Sequence, residues 1–284
     1  MIQTAMTLKF KHHDPKIFVE GNEQSQSEHK HENAPPASNT PIDPPDELVN
    51  FIRSATHDLR EPLRTIECFG GFLQTEYGDV LDQTGCDYIS RMRKAAKRIQ
   101  KLTDDMSAYS NVLIKTEDFV PINLETLTHD VLSQFREALK NCNAQTEVGK
   151  MPTLQGDAVQ MRRLLENLIE NAIKYRRDDQ ALHLKIDAKT TEHQSEIGKC
   201  QFCQIAVQDN GIGFDTQYAE RIFNPFERLH GRGKYEGTGI GLALCRKIAT
   251  HHNGTIEAFG QVGNGAIFTV TLPLNHMAQG LIND

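Results

Sequence analysis

The chain has 284 residues, of which 38% are hydrophobic and 24% are charged, and its formal net charge is −7. This length and composition predict about two globular domains, and the acidic balance argues against a general nucleic-acid binder, which carries a basic patch. No segment approaches the roughly 18 apolar residues of a membrane span, and the first residues lack the apolar core of a signal peptide, so we expect a cytoplasmic protein without membrane spans. The six cysteines are scattered along the chain, which argues against a disulfide framework.

Residues 1–45 are polar and rich in Pro, Asn, Gln, Ser, Glu and His. Such a composition buries too little apolar surface to offset the entropy that is lost on ordering. The sequence therefore predicts a disordered N-terminal tail over residues 1–45.

Apolar side chains recur at spacings of three and four residues in two long stretches, the first running from Asp46 to about Tyr77. This pattern predicts two amphipathic helices, separated by a turn that Gly78 and Gly85 bracket. The first stripe comprises Ile52, Ala55, Leu59, Leu63, Ile66, Phe69 and Leu73, and the second comprises Ile89, Met92, Ala96, Ile99, Leu102 and Met106. Two helices with a short connection form an antiparallel hairpin, which we place at residues 46–112. Because one hairpin leaves its stripe half covered, the sequence predicts that two copies pair into a four-helix bundle and that the protein is a homodimer.

A second domain is predicted at residues 121–275, after a linker at 113–120 and before a C-terminal tail at 276–284. Its predicted helices are 123–141, 157–175 and 242–252, and its predicted strands are 145–148, 182–188, 202–208, 255–259 and 266–272. Helices grouped with strands in this order predict an α+β sandwich, with helices on one face of a mixed sheet. The fold class is therefore multidomain, an all-α hairpin followed by an α+β domain. The chain lacks the Gly-x-x-x-x-Gly-Lys motif of P-loop proteins.

Four motifs follow one another along the chain: SATHDLREPL at 54–63, NLIENAIKY at 167–175, DNGIG at 209–213 and GTGIG at 237–241. In this order they resemble the H, N, G1/F and G2 boxes of sensor histidine kinases, and the first is similar to the soluble, phytochrome-like variant of the H box. The resemblance implies a dimerisation and phosphotransfer hairpin followed by an ATP-binding sandwich of the type shared with gyrase and heat-shock chaperones (GHKL). It also implies ATP and Mg²⁺ as cofactors and a response-regulator receiver domain as partner, and it is compatible with a separate sensor or input protein.

His57 lies within the first predicted helix, next to Asp58 and five positions before Pro62. A lone helical histidine is usually a surface residue, but a proline inside a helix costs about 3 kcal/mol, and a chain that keeps this cost beside a His–Asp pair has a local use for it. In the family this histidine attacks the γ-phosphate of ATP, for which a neutral imidazole is available near neutral pH. The resemblance therefore implies that His57 is the phosphoacceptor and that Asp58 is the catalytic carboxylate beside it.

Asn167 and Asn171 are four residues apart and lie on one face of the predicted helix, although asparagine is a mediocre helix former. Taken alone, such a pair would be explained by surface decoration or capping. The resemblance instead implies that both contact ATP and that Asn171 is the Mg²⁺ ligand. It also implies that Lys174 neutralises phosphate charge and that Tyr175 packs near the base. Related ATPases carry a water-activating glutamate where this chain has Asn167, so the amide favours transfer to His57 over hydrolysis.

Two glycine clusters flank a polar segment that includes Phe223, Phe226 and Arg228. Taken alone, the first cluster is explained equally well by a structural turn. By the resemblance, Asp209 accepts a hydrogen bond from the adenine amino group, and Gly211 and Gly213 let the backbone approach the base. The resemblance also implies that Phe223 and Phe226 form the F box and that Arg228 reaches the phosphates. The second cluster directly precedes a helix, whose free N–H groups predict an anion site for the triphosphate, and residues 229–236 are predicted to form a mobile lid. The ATP-binding residues implied here are Asp209, Gly211, Gly213, Phe226, Arg228, Gly237, Thr238, Gly239, Gly241 and Leu242.

One position departs from the family pattern. Many kinases of the family carry Thr or Asn four residues after the histidine, where it positions the water that dephosphorylates the regulator, whereas this chain has Glu61. We therefore expect weak or absent phosphatase activity. Two other functions remain open from the sequence: a GHKL-type ATPase, which would need a carboxylate at position 167, and a non-catalytic ATP-binding scaffold, which would be expected to have lost one of the motifs.

Overall fold

The computed structural model describes residues 46–112, 118–195, 198–229, 235 and 237–275, and at 46–53, 193–195 and 198–199 it describes the backbone only. The predicted tails at 1–45 and 276–284 lie outside the described residues. The same holds for 113–117 of the predicted linker and for 230–234 and 236 of the predicted lid.

The predicted hairpin is confirmed as two long antiparallel helices, α1 (Asp46–Glu76) and α2 (Gln83–Asn111). α1 continues through Pro62 without ending. Two ion pairs at 2.7 Å, Arg93 to Glu67 and Arg60 to Asp104, join the helices and fix their register. No helix in the described part of the chain is long and apolar enough to cross a membrane.

Only part of the apolar stripe of the hairpin is buried. Leu63, Ile89 and Ala96 are buried between the helices. Six further large side chains of the two stripes are between 39% and 62% exposed, namely Leu59, Ile66, Phe69, Leu73, Met92 and Ile99. An apolar surface of this length on one face of a helical hairpin is typical of an interaction surface.

The second domain is the predicted α+β sandwich. Its strands are β1 (Val120–Asn123), β2 (Gln145–Val148), β3 (Thr153–Gly156), β4 (His183–Ser195), β5 (Gly198–Asp209), β6 (Thr255–Gln261) and β7 (Gly265–Pro273). Its helices are α3 (Leu124–Gln134), α4 (Arg136–Asn141), α5 (Ala158–Lys174) and α6 (Gly241–His251). Among the described residues, the main sheet has five strands in the order β2-β4-β5-β7-β6, with β2 parallel to β4 and the other neighbours antiparallel.

The core lies between the helices and one face of this sheet. Alternate residues of β5 are buried, and each pairs with a buried residue of β7: Cys203 with Leu272, Ile205 with Val270, and Val207 with Phe268. β4 pairs with the opposite edge of β5 and contributes Leu184 and Ile186 to the core. Because side chains alternate across a strand, this register places one continuous apolar face under the helices.

α5 and α6 lie on this face and carry the motifs of the predicted site. α5 begins at the N-cap Asp157, whose carboxylate accepts hydrogen bonds from the N–H groups of Val159 and Gln160. Asn253-Gly254 forms the left-handed stop that follows α6: Asn253 adopts φ +55°, and the N–H of Gly254 donates to the carbonyl of Ala249.

The structure differs from the sequence prediction in three places. The predicted helix at 123–141 is two helices, because Phe135 leaves the helical conformation and packs toward the core. β1 and β3 form an additional two-stranded sheet that the sequence did not predict. β4 and β5 extend beyond their predicted ends at 188 and 202.

A buried histidine joins the start of the second domain to both motif-bearing helices. His252 is fully buried and stacks on Phe119 with 4.7 Å between ring centroids. Its Nδ1 contacts the Ile248 carbonyl at 2.8 Å, and its Nε2 accepts the backbone N–H of Asp157 at 3.1 Å. The imidazole thus links the chain entering the domain, the N-cap of α5 and the last turn of α6.

We expect His252→Phe to lower the free energy of unfolding by about 2–4 kcal/mol, because it leaves two buried backbone groups without these hydrogen bonds. Urea denaturation followed by circular dichroism measures the loss. The exposed His129→Phe is the matched control, with an expected change within about 0.5 kcal/mol. A loss below about 1 kcal/mol for His252→Phe would contradict the assigned role.

Candidate active site

Two adjoining cavities form one cleft between the sheet, α5 and the N-terminus of α6. They share Asn171, Tyr175, Ile222, Glu227, Arg228 and Leu242. The first, the apolar cavity, is also lined by Asp209, Ile212, Gly213, Phe214, Leu229, Ala266 and Phe268. The second, the polar cavity, is also lined by Lys101, Asp105, Asn167, Glu170, Lys174, Gly237, Thr238, Gly239 and Gly241.

Asp209 is the charged group that lines the apolar cavity but not the polar one. It is the last residue of β5, at the centre of the sheet, and its carboxylate accepts the N–H of Gly211 at 2.8 Å. Burial raises the pKa of Asp209 to about 6, although backbone hydrogen bonds from Gly211 and Ala266 oppose the shift. An acceptor in an apolar slot is suited to bind a planar ring that carries a hydrogen-bond donor.

The glycines after Asp209 are required by close backbone contacts. A Cβ on Gly211 would lie 2.4 Å from the Tyr175 carbonyl oxygen, which also accepts the N–H of Ile212 at 2.9 Å. Gly213 adopts φ +61°, and a Cβ there would lie 2.0 Å from the Gln261 carbonyl oxygen. The turn therefore fits between the end of α5 and the β6–β7 hairpin only without side chains.

One face of α5 lines the polar cavity with Asn167, Asn171 and Lys174. The Asn167 amide nitrogen donates to the Arg163 carbonyl at 2.8 Å, and a Cβ on Gly241 would lie 2.6 Å from the Asn167 amide oxygen. Burial, and secondarily the nearby Arg228 guanidinium, lower the pKa of Lys174 to about 8. A half-buried cation beside a second cation favours an anionic ligand.

The second glycine cluster directly precedes the N-terminus of α6. Gly237 and Gly239 have positive φ angles of +150° and +78°, and a Cβ on Gly239 would meet the backbone of Phe226 at 2.9 Å. The hydroxyl of Thr238 accepts the N–H of Ile240 at 3.3 Å. Free N–H groups at the start of an eleven-residue helix that faces a cleft provide an anion site.

The two phenylalanines of the polar segment have different environments. Phe223 is buried beneath the Arg246 guanidinium, whereas Phe226 is 59% exposed and adopts φ +66°. Arg228 donates hydrogen bonds to the carbonyls of Tyr235 and Gly237. In this arrangement Arg228 holds the backbone beside the cleft, and phosphate contact by this residue stays a prediction.

His57 and Asp58 lie on the hairpin. The His57 side chain is 86% exposed, and its Nδ1 lies 3.3 Å from an Asp58 carboxylate oxygen. The two adjacent residues therefore do contact each other, which helical spacing alone would not predict. Neither belongs to the residues that line the cleft in the described part of the chain.

The cleft brings together nearly all the nucleotide-site residues predicted from sequence. The exceptions are Gly211 and Phe226, which are not among the residues that line the two cavities. Sequence reasoning missed Lys101 and Asp105, which come from α2 of the hairpin, and Glu170, which lies between the two asparagines of α5. The first two carry no local signal, because they reach the cleft only through the packing of α2 against the second domain.

The donor set of the polar cavity fits Mg²⁺. The Asn171 side chain offers a neutral oxygen where the expected phosphates would supply the remaining charge. Within the described residues no cluster of three His, Cys, Asp or Glu side chains suits a metal held by protein alone. Cys203 of β5 is fully buried, and burial raises the pKa of its thiol to about 12, which disfavours the thiolate form that binds metals.

We expect Gly213→Ala to destabilise the protein more than Gly263→Ala, by at least about 2 kcal/mol in the free energy of unfolding. Both glycines have positive φ, which costs an L-residue about 1–2 kcal/mol, but a Cβ on Gly263 would meet nothing within 4 Å. The difference, measured by urea denaturation, isolates the close contact with Gln261. Equal losses would show that this contact does not restrict the turn.

We expect the stability contributed by Asp209 to fall as the pH rises through about 6. Its folded-state pKa is about 6 and an unfolded aspartate titrates near 3.9, so protons bind the folded state more tightly, and the contribution is complete below about pH 4. The shift corresponds to about 3 kcal/mol. The unfolding free energy of the wild type relative to Asp209→Asn, measured from pH 4.5 to 8, should decrease accordingly. The exposed Asp215→Asn should show no such trend, and a pH-independent difference for Asp209→Asn would contradict the assignment.

Comparison with known proteins identifies both domains. Residues 47–112 match the His Kinase A (phospho-acceptor) domain, and residues 156–276 match the family of histidine kinase-, DNA gyrase B- and HSP90-like ATPases. Cyanobacterial phytochrome A of Nostoc sp. is 36% identical over 228 residues, covering 80% of this chain and 29% of that protein. Phytochrome-like protein Cph1 of Synechocystis sp. is 33% identical over 230 residues, covering 81% of this chain and 30% of that protein. The chain thus spans less than a third of the length of these relatives.

Solved structures show the same fold. Full-length ShkA in complex with AMPPNP aligns with a TM-score of 0.62 at 20% identity, covering 79% of this chain and 45% of that one. Histidine kinase ThkA in complex with the response regulator TrrA aligns with a TM-score of 0.52 at 20% identity, covering 81% of this chain and 64% of that one. With the phospho-acceptor domain and the ATPase-like domain matched in this order, the chain belongs to the sensor histidine kinases.

Proposed function

We propose that this chain is an ATP-dependent protein-histidine kinase, which phosphorylates itself on His57 and passes the phosphoryl group to an aspartate of a response regulator. The observation that carries the proposal is the cleft. One end offers a half-buried acceptor, Asp209, in an apolar slot, and the other offers Lys174 and the N-terminus of α6. This polarity matches an adenine nucleotide with its base at one end and its phosphates at the other.

At the apolar end, Asp209 would accept a hydrogen bond from the exocyclic amino group of adenine. A carboxylate rejects the carbonyl that guanine presents at the corresponding ring position, so the same contact would select the base. Tyr175 lies where the two cavities meet and would pack beside the base or ribose.

At the polar end, Lys174 and the free N–H groups of Gly239 and Gly241 would hold the phosphates. Asn171 would bind Mg²⁺, which supplies further neutralisation of triphosphate charge when bound. Asn167 is an amide committed to the Arg163 carbonyl, so no carboxylate activates water at that position. The neighbouring Glu170 forms an ion pair with Lys101. These features favour transfer to histidine over hydrolysis.

His57 is suited to act as the nucleophile. With a proton on Nδ1 facing Asp58, the lone pair of Nε2 is free to attack the γ-phosphorus as the bond from that phosphorus to the ADP oxygen breaks. The ring becomes positively charged as the new N–P bond forms, and the Asp58 carboxylate stabilises that charge. The 86% exposure of His57 leaves it open to the nucleotide and afterwards to a receiver domain.

We propose that the functional unit is a homodimer formed through residues 46–112. The half-exposed apolar stripe of the hairpin would be covered by a second copy, giving a four-helix bundle. Glu61 lies exposed on α1, one turn from His57, and weak phosphatase activity remains our expectation for this position.

The first test is incubation with Mg²⁺ and γ-labelled ATP. We expect an acid-labile, alkali-stable label on the wild type and loss of at least about 100-fold of it in His57→Gln and in Asn171→Ala, because these remove the acceptor and the metal ligand. The exposed His129→Gln is a matched control that should label normally. Phosphate release without protein label would instead indicate an ATPase, and nucleotide binding without label would indicate a scaffold.

A further inference from the structure

The hairpin contributes directly to the nucleotide cleft. Lys101 and Asp105 of α2 line the polar cavity, and Lys101 pairs with Glu170 of α5. One turn further along α2, Tyr109 is half-buried, with the Lys247 ammonium of α6 located 4.1 Å above its ring. The last turns of α2 thus form an interface with the two helices that carry the motifs.

Asp105 is the most buried charge of this interface, with 6% of its side chain exposed. One carboxylate oxygen lies 3.2 Å from the Arg163 guanidinium, and the other accepts the Thr238 hydroxyl at 2.7 Å. Burial raises the pKa of Asp105, opposed by Thr238, Arg163 and Lys101, with Glu170 reinforcing the rise. A single aspartate of the hairpin is therefore bonded both to α5 and to the glycine cluster before α6.

We propose that Asp105 is a latch that holds the second domain on α2 while the phosphate end of the cleft is empty, and that binding of the nucleotide triphosphate opens it. The proposal rests on the function proposed above. Opening of the latch would let the nucleotide-loaded cleft separate from α2. This separation is required because His57 does not line the cleft.

The antagonism follows from charge and geometry. The Asp105 carboxylate occupies the Thr238 hydroxyl beside the anion site of α6, and Asp105 and Glu170 both line the cavity that the phosphates would enter. A triphosphate would place further negative charge next to this poorly hydrated carboxylate, where electrostatic repulsion is stronger than in water. It would also offer the Thr238 hydroxyl and the Lys101 ammonium alternative anionic partners.

This competition has a reciprocal consequence. If only the unlatched state binds the triphosphate well, the apparent dissociation constant equals the intrinsic one divided by the fraction of molecules that is unlatched. By linkage, the nucleotide weakens docking by the same factor. Removing the latch should therefore both tighten nucleotide binding and open the interface without nucleotide.

The first arm of the test measures AMPPNP affinity in the full chain by calorimetry with Mg²⁺. We expect Asp105→Ala to tighten AMPPNP binding about tenfold, a typical size for such coupling. Asp105→Asn keeps an acceptor for the Thr238 hydroxyl but loses the charge, so we expect it to tighten binding less. Asp104→Ala is the matched control: its carboxylate pairs with Arg60 inside the hairpin, so its affinity should stay at the wild-type value. Unchanged or weaker binding by both Asp105 variants overturns the proposal.

The second arm measures docking directly. The chain contains no tryptophan, so Tyr109→Trp introduces a single fluorophore at the interface. We expect AMPPNP to shift its emission to the red as the interface opens, and Asp105→Ala in the same background to be red-shifted before nucleotide is added. Emission that stays blue in Asp105→Ala overturns the latch.

The two proposals fail separately. A wild type that binds no AMPPNP and takes no label contradicts the kinase function. A wild type that binds and labels, with Asp105 variants indistinguishable from it in either arm, contradicts the latch alone. Circular dichroism of each variant verifies that the helices are formed, and Asp105→Asn, which preserves the side-chain shape, carries the test if Asp105→Ala unfolds.

Discussion

The contact between the end of α5 and the turn after β5 determines the geometry of the cleft. The Tyr175 carbonyl accepts the N–H of Ile212 and approaches Gly211 so closely that a side chain there has no room. Tyr175 itself ends α5, its N–H donating to the Asn171 carbonyl. Asn171, the proposed metal ligand, and Asp209, the proposed contact for the base, are thus joined by main-chain contacts, so the separation of their backbones does not depend on side-chain rotamers. A ligand that uses both ends needs such a fixed spacing.

Burial shifts the pKa values of the charged groups at both ends of this cleft so that their neutral forms are favoured. The pKa of Asp209 is raised to about 6 and that of Lys174 is lowered to about 8. Each group is therefore poorly compensated by the protein itself, a common property of functional sites. A nucleotide that supplies a donor to the first and anionic oxygens to the second would restore the interactions that burial removed. The same argument accounts for the amide at Asn171, where a further carboxylate would compete with the phosphates for the cations.

The sequence was most informative where local chemistry determines structure. The two long helices of the hairpin and the extents of α5 and α6 were readable from the periodicity of apolar residues, and the structure contains each of them. β1 and β3 were not readable, because each has four residues and they pair across about thirty positions. The last pair between β5 and β7 is Phe202 with Pro273, and beyond it β4 and β5 continue as a two-stranded ribbon. The residues of this ribbon are mostly polar and lack an apolar alternation, so the sequence did not predict these ends of the strands.

Asp105 shows why part of the site lay beyond the sequence. It sits in a helix whose apolar pattern predicts bundle packing, and a carboxylate there would ordinarily be assigned to solvent. Its burial arises from a partner surface more than fifty residues away in the chain. Buried ion pairs contribute little net stability, because desolvation offsets their attraction, but they penalise misalignment strongly. An interface built on such a pair is specific in register and only weakly held, which are the properties needed by a contact that one bound anion can open.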